Sequence, residues 1–216
     1  MAHTRTSLVI PCFVPTERHL EMTLQSLESL DHGKPDEMIL VDDGSSMRIP
    51  PHRNVTHIIR KAKNEGYAQA VNAGLRKAMG SIIIVANNDI FYLDGWLDGI
   101  LSPFEKGYDF GLIRVSDADG LSIENRYSEN DRLGSLWAVK RSVQKKLGLL
   151  DTRYGRGYFS DTDYWRRAIN AGYRIGKNHV AVVEHTGHAT QDYFQDKSDD
   201  YARATQAYLD KWGFVD

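Results

Sequence analysis

The chain is poor in several features that mark whole protein classes. Its single cysteine, Cys12, excludes an intrachain disulfide and a multi-cysteine metal cluster and fits a reducing compartment, so the cytoplasm is the expected location. No apolar run approaches the ~20 residues of a membrane span, so no transmembrane segment is expected, and the opening MAHTRTSLVIPCF holds too short an apolar stretch for a signal peptide. Charge of one sign is missing too. The 27 Lys and Arg against 29 Asp and Glu leave a formal net charge of -2, which gives no overall drive toward nucleic acid or an anionic membrane. Internal repeats, low-complexity tracts and linkers are absent, and no Gly-rich, Lys- or Arg-bearing phosphate loop follows the first apolar run, VIPCFVPTE. What remains is 216 residues with 41% hydrophobic and 26% charged content, enough for one large globular core.

The pattern within that length alternates between strand and helix. Ser7 to Ile10 reads as a buried strand stopped by Pro11. After Thr16, the leucines 20, 24, 27 and 30 fall at helical spacing. Met38 to Val41 and Thr56 to Ile59 read as the next strands, the first ending in the turn-forming Asp42-Asp43-Gly44, the second in Arg60. A helix over Gly66 to Met79 leads into SIIIVANND, Ser81 to Asp89, where Ile82 to Val85 form a strand buried on both faces and a carboxylate waits at its exit. This alternation predicts a mostly parallel sheet with helices on both faces, whose strand ends share one rim where ligands bind.

Beyond Asp89 the alternation weakens. A helix is predicted around Trp96 and Ile100, strands over Phe110 to Val115 and Leu136 to Val139, and a surface loop or lid over Asp117 to Asp131. A short helix over Arg141 to Leu147 follows, then an acid-started helix over Asp161 to Ala171. Two short strands, Tyr173 to Ile175 and His179 to Val183, precede Glu184-His185, and an amphipathic helix over Asp199 to Trp212 ends the pattern.

Four polar clusters therefore fall at strand ends or helix starts: Asp42 with Asp43, Asn88 with Asp89, Asp161 with Asp163, and His185. Each has a plain structural reading, as a turn, a helix N-terminus stabilised by the macrodipole, or a packed histidine. Their order decides between the readings. SLVIPCF, MILVDDGSS, NEGYAQAVNAGL, VANNDIFYLDGWL, LWAVKRSVQKKLGLLD, YFSDTDYWRRAINAGYRI and AVVEHTGHAT together make the chain resemble the family 2 glycosyltransferases of GT-A fold, in particular their short bacterial rhamnosyltransferase-like branch, over about Ser7 to Thr190.

The resemblance implies a single α/β GT-A (Rossmann-like) domain, with a nucleotide-sugar half over about residues 1–89 and an acceptor half over about 90–216. It implies that Pro11, Phe13, Asp42, Asp43, Arg60, Asn64, Gly66 and Asn88 surround the nucleotide sugar, because carboxylates accept hydrogen bonds from ribose hydroxyls and base N–H groups. The metal motif, commonly Asp-x-Asp, stands here as Asn87-Asn88-Asp89. Asp89 would then hold Mn²⁺ or Mg²⁺ together with His185 and the donor diphosphate, the imidazole favouring Mn²⁺. Asp161 takes the position of the general base, with Ser160 where a Glu is usual and Asp163 two residues on as support; apart from the resemblance, Trp137 and Tyr158 lie in an aromatic-rich region and are expected either to support the acceptor or to be core residues. The acceptor class stays open among saccharide, lipid-linked glycan and modified nucleobase; a nucleic acid acceptor is neither demanded nor ruled out. The implied activity is inverting transfer of a sugar from a nucleoside-diphosphate sugar to an acceptor hydroxyl. Two alternatives remain beside it: a non-catalytic nucleotide-sugar-binding module, given Asn87 and Ser160, and a nucleotidyltransferase, which the missing phosphate loop disfavours.

Overall fold

Thr6–Cys12 forms strand β1, buried along its whole length. In the computed structural model, which describes residues 4–117, 134–186 and 193–214, it lies in the sheet between the strands Glu37–Asp42 and Ile82–Ala86. Helix α1 (Glu17–Ser29) leads to β2 (Glu37–Asp42), followed by β3 (His57–Arg60), α2 (Tyr67–Lys77) and β4 (Ile82–Ala86). Then come β5 (Ile90–Tyr92), α3 (Trp96–Glu105), β6 (Phe110–Asp117), β7 (Leu136–Lys140) and α4 (Arg141–Leu147). Helix α5 (Ser160–Asn170), β8 (Ile175–His185) and α6 (Lys197–Trp212) complete the described chain. The polar stretch 118–131 expected as a loop or lid, and residues 187–190 of the last resembling segment, lie outside the described residues.

One sheet of eight strands runs in the order β3-β2-β1-β4-β7-β6-β8-β5. Its strands send alternate side chains to opposite faces. Leu8, Ile10, Leu40 and Ile84 join Leu27 of α1 and Trp96 and Ile100 of α3 in one core cluster, while Val9, Ile39, Val41, Ile83 and Val85 join Val71 and Leu75 of α2 and Tyr164 and Ala168 of α5 in the other. The result is three layers, helix on sheet on helix.

The sheet is mostly parallel, as predicted, but its strands do not all run one way. Four of its pairings are parallel, but β4–β7, β6–β7 and β5–β8 are antiparallel, so the sheet is mixed. Buried aliphatic runs look alike in either direction, so the sequence carried no signal for the reversal at β7. Two expectations are corrected. The two short strands after Gly172 are one strand, β8, whose pairing with β6 shifts register between Ile113 and Arg114. The interruption is a turn closed by Asn178, whose Oδ1 accepts the Val180 and Ala181 amides at 2.8 and 3.0 Å. Pro11 does not stop β1 but lies within it. Pairing with β4 ends at Val9↔Val85 while β2 follows as far as Cys12↔Asp42, so a residue with no N–H is placed where β1 keeps one neighbour.

The carboxylate of Asp163 anchors the C-terminal helix. It is fully buried and accepts from Tyr154 Oη, Arg167 Nε and Trp212 Nε1, each at 2.9 Å, and Lys211 Nζ lies 2.7 Å away. Trp212 of α6 and Tyr154 would lose this acceptor together. Asp163→Ala is therefore expected to cost about 3 kcal/mol, the low end for breaking a buried ion pair, in urea unfolding. Lys211 keeps Asp151 at 2.7 Å and Arg167 keeps the Leu147 carbonyl at 2.9 Å, which is why the low end applies.

Candidate functional site

The C-terminal ends of the parallel strands form one rim, as the alternation requires. Asp42 closes β2, almost fully buried; its Oδ1 accepts the Ser45 amide at 2.9 Å, and Arg60 Nε, at the end of β3, lies 3.4 Å from its Oδ2. Asp43 is turned toward the next loop. Its Oδ2 accepts the Glu65 and Gly66 amides at 3.1 and 2.8 Å, and Lys61 Nζ lies 2.7 Å from its Oδ1. Asp43, expected from the sequence beside the base and ribose, thus ties down the 61–66 loop. Burial alone would lower the Lys61 ammonium, but its hydrogen bonds to Asp43 and Glu65 outweigh that and raise it. Burial, and after it the charges of Asp42 and Asp43, push the Cys12 thiol well up.

Asn64 Oδ1 also accepts the Gly66 amide, at 3.1 Å. Gly66 itself has φ 96°, and a Cβ placed there would stand 2.6 Å from the Gly155 carbonyl oxygen. The loop thus needs glycine both for its backbone and for the close approach of residue 155. Gly66→Ala is expected to cost about 1–3 kcal/mol of stability from the forced backbone, seen in thermal melts. Phe13 lies just past β1, half-buried, its ring stacked on Phe194 with centroids 5.7 Å apart.

The exit of β4 meets the exit of β8. Asp89 Oδ1 lies 3.0 Å from His185 Nε2, and Asn87 Nδ2 is 3.4 Å from the same nitrogen. The Thr186 amide donates to the Asp89 carbonyl at 3.2 Å, and β5 pairs Ile90 with His185, so backbone bonds fix the two side chains side by side. Asn88 points elsewhere: its amide donates to Thr23 Oγ1 of α1 at 2.7 Å, which ties the turn down and does not aim it at a ligand. Asp89 is 8% exposed, and burial followed by its charge pushes the neighbouring Tyr92 phenol upward. A buried carboxylate oxygen beside one imidazole nitrogen suits a divalent cation of intermediate softness. Among the described residues no group of three or more His, Cys, Asp or Glu side chains is placed to hold a metal, so the remaining ligands would come from the bound substrate and water.

Asp161 sits on the first turn of α5, half-buried, its Oδ1 accepting the Thr162 amide at 2.9 Å. Burial, and after it the Asp161 charge, raise the phenol of Tyr67 at the start of α2. Ser160 beside Asp161 is buried. The acceptor residues expected from the sequence divide differently. Asp163 serves the α6 anchor, and Trp137 is a fully buried core residue packed 5.6 Å from the Tyr164 ring, because β7 is an interior strand. Tyr158 remains half-buried near this end of α5, edge-on to Tyr201 at 5.1 Å. Lys61, Tyr67 and Phe194 join the site without having been predicted. Lys61 was one lysine among several charges, and nothing in the sequence brings Phe194 back to Phe13.

Comparison with known proteins follows this geometry. Residues 7–180 match the model of a family described as glycosyl transferase family 2. The undecaprenyl-phosphate 4-deoxy-4-formamido-L-arabinose transferase of Pectobacterium carotovorum subsp. carotovorum is 32% identical over 130 residues, 53% of this chain and 38% of its own length. The chain thus spans about two fifths of that relative. The uncharacterized glycosyltransferase YwdF of Bacillus subtilis is 25% identical over 94% of this chain and 82% of its own. Among solved structures, the mannosyltransferase PcManGT of Pyrobaculum calidifontis, in complex with GDP-Man and Mn²⁺, has the same fold, with a TM-score of 0.68 at 16% identity over 96% of this chain and 64% of that one.

Proposed function

The chain belongs to glycosyl transferase family 2, and from that premise we propose that it transfers a sugar from a nucleoside-diphosphate sugar to an acceptor hydroxyl with inversion at the anomeric carbon. The observation that carries the reading is the contact of Asp89 with His185 at 3.0 Å, on the rim that also holds Asp42 and the Asp43-ordered loop. The nucleotide falls to residues 1–89. Phe13 lies just past β1, Asp42 and Arg60 lie at the strand ends, and Gly66 lets backbone approach. Asp89 and His185 would hold Mn²⁺ or Mg²⁺. Such a cation, when bound, neutralises the diphosphate leaving group.

The acceptor half, 90–216, supplies Asp161. Its carboxylate takes the proton of the acceptor hydroxyl while that oxygen bonds to the anomeric carbon. The bond to the diphosphate oxygen breaks, and the nucleoside diphosphate leaves with the electron pair. One displacement gives one inversion. The acceptor is a hydroxyl of a saccharide, lipid-linked glycan or modified nucleobase.

Incubation with MnCl₂ and a panel of UDP-, GDP- and dTDP-sugars tests this reading. Slow release of a nucleoside diphosphate, with water as acceptor, is the expected result. Pyrophosphate release from a nucleoside triphosphate would point to a nucleotidyltransferase, and tight donor binding without turnover, unchanged in Asp161→Asn, would point to a binding module.

No helix among the described residues is long and apolar enough to cross a membrane.

A further inference from the structure

Phe159, directly before Ser160 and Asp161, is the one non-glycine residue among those described with a positive φ, 57° with ψ −6°. A side chain with a Cβ is disfavoured there, and where only a turn is needed Gly or Asn serves. A bulky aromatic held in this region is an outlier that asks for a cause. Packing from the C-terminal helix supplies the hold. The Phe159 ring lies 4.9 Å from that of Tyr208 and 5.7 Å from that of Tyr201, at 30° and 33°. The Phe159 carbonyl accepts the Asp163 amide at 2.8 Å, and the Asp163 side chain is itself bonded to Trp212 of α6. Helix α6 therefore grips the residue two before Asp161 through its ring and the residue two after Asp161 through its carboxylate.

Taking Asp161 as the base, as above, we infer that Phe159 is a positioning residue: its left-handed backbone, clamped by Tyr208 and Tyr201, aims the Asp161 carboxylate at the acceptor. The φ and ψ of residue 159 set the direction in which α5 begins, and hence where its first-turn side chains point. A shift of Phe159 to negative φ would swing Ser160 and Asp161 away from the strand-end rim. Helix α6 then becomes part of the catalytic apparatus without touching substrate.

Two substitutions of Phe159 separate aim from mere packing, because both delete the ring but only one forbids the backbone. F159V, whose β-branch opposes the left-handed region, is expected to lower kcat for hydrolysis of the sugar-nucleotide panel about 10- to 100-fold, with KM within about twofold, since misplacement of a catalytic group by about 1 Å costs on that scale. F159G, which adopts positive φ freely, is expected to keep kcat within about threefold. Y208A should lower kcat about tenfold in the native background and leave it unchanged in the F159G background, where no clamp is needed. Equal kcat per folded molecule in F159V, F159G and the unaltered protein would overturn the inference, as would equal losses from Y208A in both backgrounds.

Asp161→Asn run alongside keeps the two claims apart. If it leaves the rate intact, the base assignment fails. The hold of Phe159 is then decided by the Thr162 amide resonance, which reports the 2.9 Å bond to Asp161 Oδ1. Displacement by F159V but not by F159G supports it, and any other pattern overturns it.

Discussion

Asp161→Asn is expected to lower the rate of nucleoside diphosphate release by about 10² to 10⁴, the usual scale of general-base catalysis, with donor affinity unchanged. The substitution is nearly isosteric and keeps an oxygen able to accept the Thr162 amide, so the start of α5 is preserved. It removes only the capacity to take a proton. Position favours Asp161 for that role, because it is half-buried at the rim, whereas Asp163 is buried among four donors. Single-turnover rates at saturating donor, with water or an acceptor, measure the loss directly. An Asp161→Asn protein as fast as the unaltered one would remove the base from the mechanism.

Asp89→Ala is expected to weaken binding of Mn²⁺ in the presence of UDP or GDP by at least about 100-fold in calorimetric titration, since even outer-shell partners of a metal are worth 10- to 100-fold. The expectation rests on how little else is there. His185 is the one neighbouring ligand among the described residues, 3.0 Å from the Asp89 carboxylate, and Asn87 and Asn88 stand where a second carboxylate would be. The fold should survive, because the backbone carbonyl of residue 89 still accepts from Thr186 and the β5–β8 pairing does not involve the carboxylate. A loss of cation binding without a fall in melting temperature is thus the signature. Full Mn²⁺ affinity and full cation-dependent activity in this variant would sink the proposed metal site.

Much of the first half of the chain was legible in the sequence, because a dry aliphatic run such as Ile82 to Val85 followed by polar residues has few other readings. The part after Asp89 was less so, for physical reasons. Strand direction leaves no trace in a buried run, so the antiparallel β7 was invisible and its Trp137 could be taken for a ligand platform. Asp161 and Asp163 are two residues apart on a helix start and point about 200° apart, so one faces the rim and the other the protein, and spacing alone does not say which. The core took Asp163 because Tyr154, Arg167, Lys211 and Trp212, from three separate stretches of the chain, converge on it. Asp43 shows the same limit. Its sequence context marks a turn, but its engagement with Lys61 and the Gly66 amide depends on β3 ending beside β2.

The central claim is a single displacement on a nucleoside-diphosphate sugar, and the configuration of the first-formed product tests it most directly. With an α-linked sugar nucleotide from the panel that the protein hydrolyses, proton nuclear magnetic resonance followed from the start of the reaction should show the β-anomer of the free sugar appearing first, together with the nucleoside diphosphate, before mutarotation mixes the anomers. First appearance of the α-anomer, or of pyrophosphate, would contradict it.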